Sequence, residues 1–393
     1  MRRHTSTLVV LVVVAILVLG TRGSFGLYIA PWEELFGVGR ASVSLISASG
    51  FLTYGFAQPL AGKLLERWPP RLVIGLGLII VATGLAGAAM STEMWMAVIS
   101  IGVVASFGTG LSSLSALSYV AGELVEGKGG MIFGLLTAGA AGGQVFVLPI
   151  ATAALGVSLR ASLLTLAALC VGGAVAVART IPQLPARSRM VEPTPISVMA
   201  RERRFWLLLL PFFVCGYTTT GMIETHLIPF ALDHHVEQAT ASAALSVLAA
   251  FNIAGVLLAG LLTDRVDRGK MLGTIYAMRA ITLLILPFVT DATGLFVFGA
   301  LFGIADFATV PPTTSLTRTV FNTGGWAVAI GLISAAHQVG SALGAWLPGI
   351  IFERTGSYTI AFVSGAMTLI VASFLSFLLR RPSTAAKTPA AVG

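Results

Sequence analysis

Two stretches decide the fold: GKLLERWPPR (62–71) and GLLTDRVDRGK (260–270). Each follows an apolar run, and they superpose at an offset of 198 residues, so that Gly62 matches Gly260, Leu64 matches Leu262 and Arg67 matches Arg265. The same offset pairs Gly23 with Gly221 and Pro31 with Pro229. The chain is therefore an internal duplication, and its first apolar run has a counterpart deep in the second half. The basic start Met1–His4 and the apolar Leu8–Leu19 could pass for a cleaved leader; the repeat makes them part of the first span.

Outward from those loops, the composition names the solvent. Of 393 residues, 56% are hydrophobic and 10% charged, where a water-soluble domain carries roughly 25% charged residues. The net charge of +8 does not point to nucleic acid, because the basic residues sit at the ends of apolar runs as membrane topology requires. Cys170 and Cys215 both lie inside apolar runs, which excludes a disulfide framework. No nucleotide or metal-ligand motif appears, so neither cofactor nor metal is expected, and no catalytic constellation marks an enzyme.

A span needs about 20 mostly apolar residues. Twelve runs qualify, near 7–31, 42–63, 72–91, 95–122, 130–155, 160–179, 205–232, 240–262, 271–290, 293–317, 328–351 and 357–379. None alternates with period two, so the spans are helices. The expected fold is an all-α membrane protein of two six-helix bundles, 1–180 and 205–381, joined by a proline- and arginine-rich cytoplasmic linker, 181–204, and followed by a tail, 382–393. With the N-terminus inside, 19 of the 24 Lys and Arg fall on the inner side, and only Arg40, Arg160 and Arg354 fall outside. That bias predicts a multi-pass protein of the cell membrane, of inner-membrane type, with both termini cytoplasmic.

Parallel six-helix repeats mark one large transporter class. The two loops resemble the signature of the major facilitator superfamily, glycine–x–leucine–x–aspartate–arginine–x–glycine–arginine. The second copy keeps Asp264 and Arg265, whereas the first has Glu66 for aspartate and Pro69 for glycine. The resemblance implies two bundles, a central site and alternating access, with Gly62, Glu66, Arg67, Gly260, Asp264 and Arg265 as gating-loop residues. GTRGSFGLY (20–28), GQVFVLP (143–149) and CGYTTTGMIETHLIPFALDH (215–234) look like the monocarboxylate transporter and oxalate–formate antiporter branch. That branch carries small organic anions, often with a proton. Its usual anion-binding arginine lies four residues before the loop glycine, where this chain has Val256, so the substrate does not carry over.

An ionisable residue at mid-span costs about 2.5–3.5 kcal/mol on insertion scales and is functional by default. Four qualify: Arg22, Glu224, Arg279 and Asp306. Arg22, flanked by Gly20 and Gly23, offers a planar fork for a carboxylate; the competing reading pairs it with Glu224. Glu224 and Asp306 are the candidates for proton coupling. Arg279 and Asp306, in consecutive spans, are expected as a structural ion pair. Asn252, His337 and Tyr119 join Arg22 as candidate substrate-binding residues, each weighed against service as interhelical glue. Gln144, Tyr54 and Gln58 are further polar candidates, and glycines at spacing four (139/143, 340/344) mark close helix seams.

The leading expectation is a monomeric secondary transporter of a small organic anion, possibly a monocarboxylate, coupled to protons. The rivals are a proton-coupled exporter of amphipathic or cationic compounds, and a receptor with a transporter-like body. Reporter fusions test the topology: Gln183 and Ala386 should report cytoplasm and Val236 the outside. A cytoplasmic signal at Val236 would refute the twelve-span arrangement.

Overall fold

The computed structural model describes residues 2–124, 129–182, 196–263, 265–321 and 326–379. Most of the linker, Asp264, the tail and the Glu66 side chain therefore lie outside the described residues.

Among the described residues, eleven helices are long and apolar enough to cross a membrane. In chain order they are α1 (Thr5–Phe36), α3 (Pro70–Ala89), α4 (Met94–Ala121), α5 (Leu135–Leu155), α6 (Leu159–Thr180), α7 (Arg203–Asp233), α8 (Gln238–Thr263), α9 (Arg268–Phe288), α10 (Ala292–Val320), α11 (Val328–Thr355) and α12 (Thr359–Phe377). Between α1 and α3 runs α2, Arg40–Arg67, a helix of 28 residues and hence about 42 Å long. Its length would suffice to span, but Ser42, Ser44, Ser47, Ser49, Thr53, Tyr54 and Gln58 make it more polar than the others. A helix that gives much of its surface to other helices need not be greasy all round.

Large apolar side chains face outward, Phe56 80% exposed and Phe374 63%, while Arg279 and Asp306 are 0% and 1% exposed. This inversion is what a hydrocarbon solvent demands.

The packing repeats as the sequence does. In the first half α1 packs on α5, α3 on α6 and α2 on α4; in the second α7 packs on α11, α9 on α12 and α8 on α10. Adding six to each first-half label reproduces the second set. The contacts between halves, α2 on α11 and α5 on α8, interchange under the same operation.

Small residues set the tightest seams. A Cβ on Gly143 of α5 would stand 2.7 Å from Gly20 Cα and 2.7 Å from the Ile16 carbonyl of α1. In the other half a Cβ on Gly344 of α11 would stand 2.7 Å from the Tyr217 carbonyl carbon of α7. No dispersion is lost to a gap there, and apposed backbones are what associate helices in lipid. The loop glycines differ: a Cβ on Gly62 or Gly260 would meet nothing within 4 Å.

Gly143→Ala should therefore push α1 off α5 and cost about 1–3 kcal/mol, whereas Gly260→Ala should leave stability at the parental value. Thermal unfolding in detergent measures both, and a lower midpoint for Gly260→Ala than for Gly143→Ala would contradict the seam.

Candidate functional site

Where α1, α5, α7, α8 and α10 converge, a cavity of about 20 Å³ opens between the halves, lined by Arg22, Gln144, Glu224, Asn252 and Phe307 with three small apolar neighbours. Three of these helices are irregular nearby. The α-helical part of α1 ends at Gly23 and passes into a 3-10 turn, Phe25–Tyr28. Ser24 Oγ donates to the Gly20 carbonyl at 2.8 Å, taking up an acceptor that the broken ladder releases. Glu224 directly follows a π-helical stretch, Tyr217–Ile223, in α7. Such insertions are frequent at functional sites because they re-aim the side chains after them. At α10 the α-helix stops at Ala305 and resumes at Val310.

Asn252 of α8 repairs that last break with both ends of its amide. Its Nδ2 donates to Asp306 Oδ2 at 3.1 Å, and its Oδ1 accepts from the Phe307 N–H at 3.1 Å. The residue expected to bind substrate is thus largely committed to holding α10, though it does line the cavity.

Arg22 stands at the wall between two spaces. Beyond it lies a second cavity of about 50 Å³ inside the first half, with Ile46, Phe51, Val81 and Leu85 as apolar lining and Ser106 and Thr109 as polar lining. Its guanidinium carbon lies 4.6 Å from the Tyr54 ring centre and 4.9 Å from that of Phe51. Ring faces hold a cation without neutralising it. Among the described residues the salt bridges within 4 Å both belong to Arg40, so Arg22 and Glu224 share a cavity without direct pairing.

Arg279 and Asp306 are likewise neighbours in one network instead of a contact pair. Arg279 Nη1 donates to Cys215 Sγ at 3.1 Å, and Nη2 donates to Thr218 Oγ1 at 2.7 Å and to Thr219 Oγ1. Thr219, Cys215 and Arg279 all face Asp306. Two atoms of the network, Arg279 Nε and Asp306 Oδ1, are buried with no hydrogen-bond partner among the described residues.

The remaining expected residues lie elsewhere. His337 packs on Phe212 with the rings tilted at 44° and their centres 4.8 Å apart, at the α7–α11 seam. Tyr119 packs beside Leu65, Val73 and Ala116 among α2, α3 and α4. Arg67 and Arg265 are exposed. In the second loop the contact across to α10 is made by Arg268, which donates through Nη1 to Thr319 Oγ1 at 3.1 Å. Sequence reasoning missed Phe307, Thr218 and Thr219; the TTT run beside Gly221 was the available signal.

Against known families, the description that matches is Major Facilitator Superfamily, over residues 11–255 and 217–393. The chain belongs to that superfamily. Superfamily relatives include the MFS-type transporter YcxA of Bacillus subtilis (strain 168), 25% identical with 86% of each chain covered. Monocarboxylate transporter 13 of Rattus norvegicus is 25% identical, covering 91% of this chain and 84% of its own. Among solved structures, a bacterial homolog to the human lysosomal transporter Spinster, inward-facing and unoccupied, has a TM-score of 0.76 at 15% identity and covers 96% of both chains. This chain is accordingly a multi-pass membrane protein of a transporter superfamily.

The Asn252 bridge yields a test within the superfamily fold. Asn252→Leu strands the Phe307 N–H and the Asp306 carboxylate, each worth about 1–3 kcal/mol when buried. The thermal midpoint should fall clearly below that of Gln58→Leu, a half-buried control whose Oε1 accepts one long bond, from Ser115 at 3.4 Å; equal midpoints would remove Asn252 from its structural role.

Proposed function

We propose that this superfamily member is a proton-coupled secondary transporter of a small organic anion, working by alternating access between two six-helix halves, 1–180 and 205–381. The observation that carries it is Arg22. A guanidinium lies well inside an apolar span, on the wall of the cavity between the halves, packed against ring faces and in no salt bridge among the described residues. Its planar fork suits a carboxylate. A substrate carboxylate there would complete a charge balance that the protein leaves open, with Gln144 as a hydrogen-bonding neighbour. Relatives named monocarboxylate transporters support a monocarboxylate as the anion. Glu224 in the same cavity, and Asp306 joined to it through Asn252, are the proton carriers of this reading.

In the proposed topology α2 is the twelfth span, the chain is a monomer in the cell membrane, and both termini face the cytoplasm, as the distribution of Lys and Arg favours. The gating-loop residues of this reading are Gly62, Glu66, Arg67, Gly260, Asp264 and Arg265, joined by Arg268, which reaches α10. A second reading, an exporter of amphipathic compounds, draws on the apolar cavity beside Arg22.

Substrate protection against thermal unfolding, together with uptake into proteoliposomes, separates the two. Arg22→Lys keeps the charge and loses the bidentate fork, so protection by small carboxylates should weaken at least about tenfold; Arg22→Gln should abolish it. Glu224→Gln should preserve protection while uptake loses its acceleration by an imposed pH gradient. If instead both single variants are unstable and the Arg22→Gln, Glu224→Gln double variant recovers fold and protection, the pair is structural and the exporter reading leads.

A further inference from the structure

At the face bearing the 37–39 turn, the 234–237 connection and the α11–α12 turn, one side chain makes most of the polar contacts between the two halves. Arg40, at the start of α2, is 9% exposed at its side chain and uses all five of its N–H donors. Nε and Nη2 reach the two oxygens of Glu33 in α1 at 2.9 and 3.2 Å. Nη1 and Nη2 reach the two oxygens of Asp233 in α7 at 2.6 and 3.3 Å. The second bond of Nη1 goes to the Tyr358 hydroxyl beside α12 at 3.3 Å, and the guanidinium lies 4.0 Å over the Phe352 ring of α11. Bidentate, charge-assisted bonds are the strongest and most directional that side chains make.

The contact continues inward. Because Tyr358 accepts from Arg40, its own proton is directed to His226 Nδ1 at 2.9 Å. That makes His226 the neutral tautomer carrying its proton on Nε2, which donates to the Ala345 carbonyl of α11 at 2.6 Å. Next to Arg40, the Ala41 N–H in the first turn of α2 donates to Glu353 Oε1 of α11 at 2.8 Å. Gln238 of α8 adds a bond to the Leu27 carbonyl at 3.2 Å. At the other end of the molecule the arrangement differs. Leu114–Leu124 of the α4 region packs on α1, α2, α3 and α5, and Val310–Val320 of α10 packs on α7, α8, α9 and α11, each within its own half.

We infer that Arg40 is the latch that keeps the outer face closed, and that opening this face requires Arg40 to leave Asp233 and Tyr358 while it keeps Glu33. The split follows from connectivity: Glu33 and Arg40 lie seven residues apart on the first half, whereas Asp233, Phe352, Glu353 and Tyr358 all belong to the second. The inference rests on the alternating-access reading above, but its test needs no transport. Ser44 is fully buried in α2, its hydroxyl has no partner among the described residues, and a Cβ on Gly349 of α11 would stand 3.1 Å from its Oγ, so it becomes reachable only when the halves part. The native Cys170 and Cys215 are buried, so labelling of Ser44→Cys above the parent reports opening. The probe is a membrane-impermeant maleimide applied to right-side-out and to inside-out vesicles. Asp233→Asn and Arg40→Gln should each speed labelling at least about tenfold, with Arg40→Lys between them and the parent. Asp233→Asn carries the test if Arg40→Gln does not fold. Rates within twofold of the parent for Asp233→Asn would overturn the latch, as would an equal acceleration by Gly143→Ala, which loosens a seam far from it. Acceleration confined to inside-out vesicles would keep the latch and reverse the proposed orientation, and intact labelling behaviour without any anion uptake would fault the transport reading alone.

Discussion

A backbone N–H or C=O left open to hydrocarbon costs several kcal/mol, so a chain in lipid interrupts a helix only where protein can satisfy the freed groups. Here the interruptions in α1, α7 and α10 all lie near the surface between the halves, and each is met by a side chain. Ser24 takes the Gly20 carbonyl, Thr218 takes the Val214 carbonyl, and Asn252 takes the Phe307 N–H. The breaks and their repairs place Arg22, Glu224 and Asp306 around a common region.

The buried charges follow from the same constraint. A cation in the interior need not meet a carboxylate; it must be solvated. Arg279 is solvated by two threonine hydroxyls, a cysteine sulfur and the Phe302 ring, 5.4 Å from its guanidinium carbon. Asp306 rests instead on Asn252, with its other oxygen unpartnered among the described residues. Arg40 represents the opposite case, in which every donor is saturated and geometry, more than charge, defines the partner.

The spans, the duplication and the small-residue seams were legible in the residues because each reports on solvent or on local spacing: lipid demands apolar runs, and glycines at intervals of four demand close neighbours. The pairing Gly20–Gly143 and its counterpart at Gly344 realise that reading directly. α2 was legible as a helix but is less apolar than its companions, because Ser44, Ser47 and Tyr54 face protein. Charge partners were not legible. Arg22 and Glu224 could be paired on paper by sign, yet contact depends on how each helix is rotated, and the π-helical stretch in α7 shifts that rotation by a register no periodicity encodes. Arg40 was visible only as an exception to the inner-side bias. Its partner Asp233 lies 193 residues away, and only the assembled halves bring the two together.

The cavity and the outer face are connected through shared helices. α7 carries Glu224 into the cavity, His226 against Tyr358 and Asp233 against Arg40, all within ten residues. α1 carries Arg22 and, eleven residues on, Glu33, with Gly26 between them so close to α7 that a Cβ there would stand 3.0 Å from the Glu224 and Thr225 carbonyls. α1 and α7 therefore touch beside the cavity, and on the alternating-access reading a rotation of one half about that contact displaces the latch residues Glu33 and Asp233 relative to one another. On the proposed anion reading, a ligand drawing Arg22 toward the cavity acts on the helix whose continuation beyond the 3-10 turn presents Glu33 to Arg40; two helices in backbone contact, each bearing one charge at the site and one at the latch, would carry that coupling without a long path of side chains.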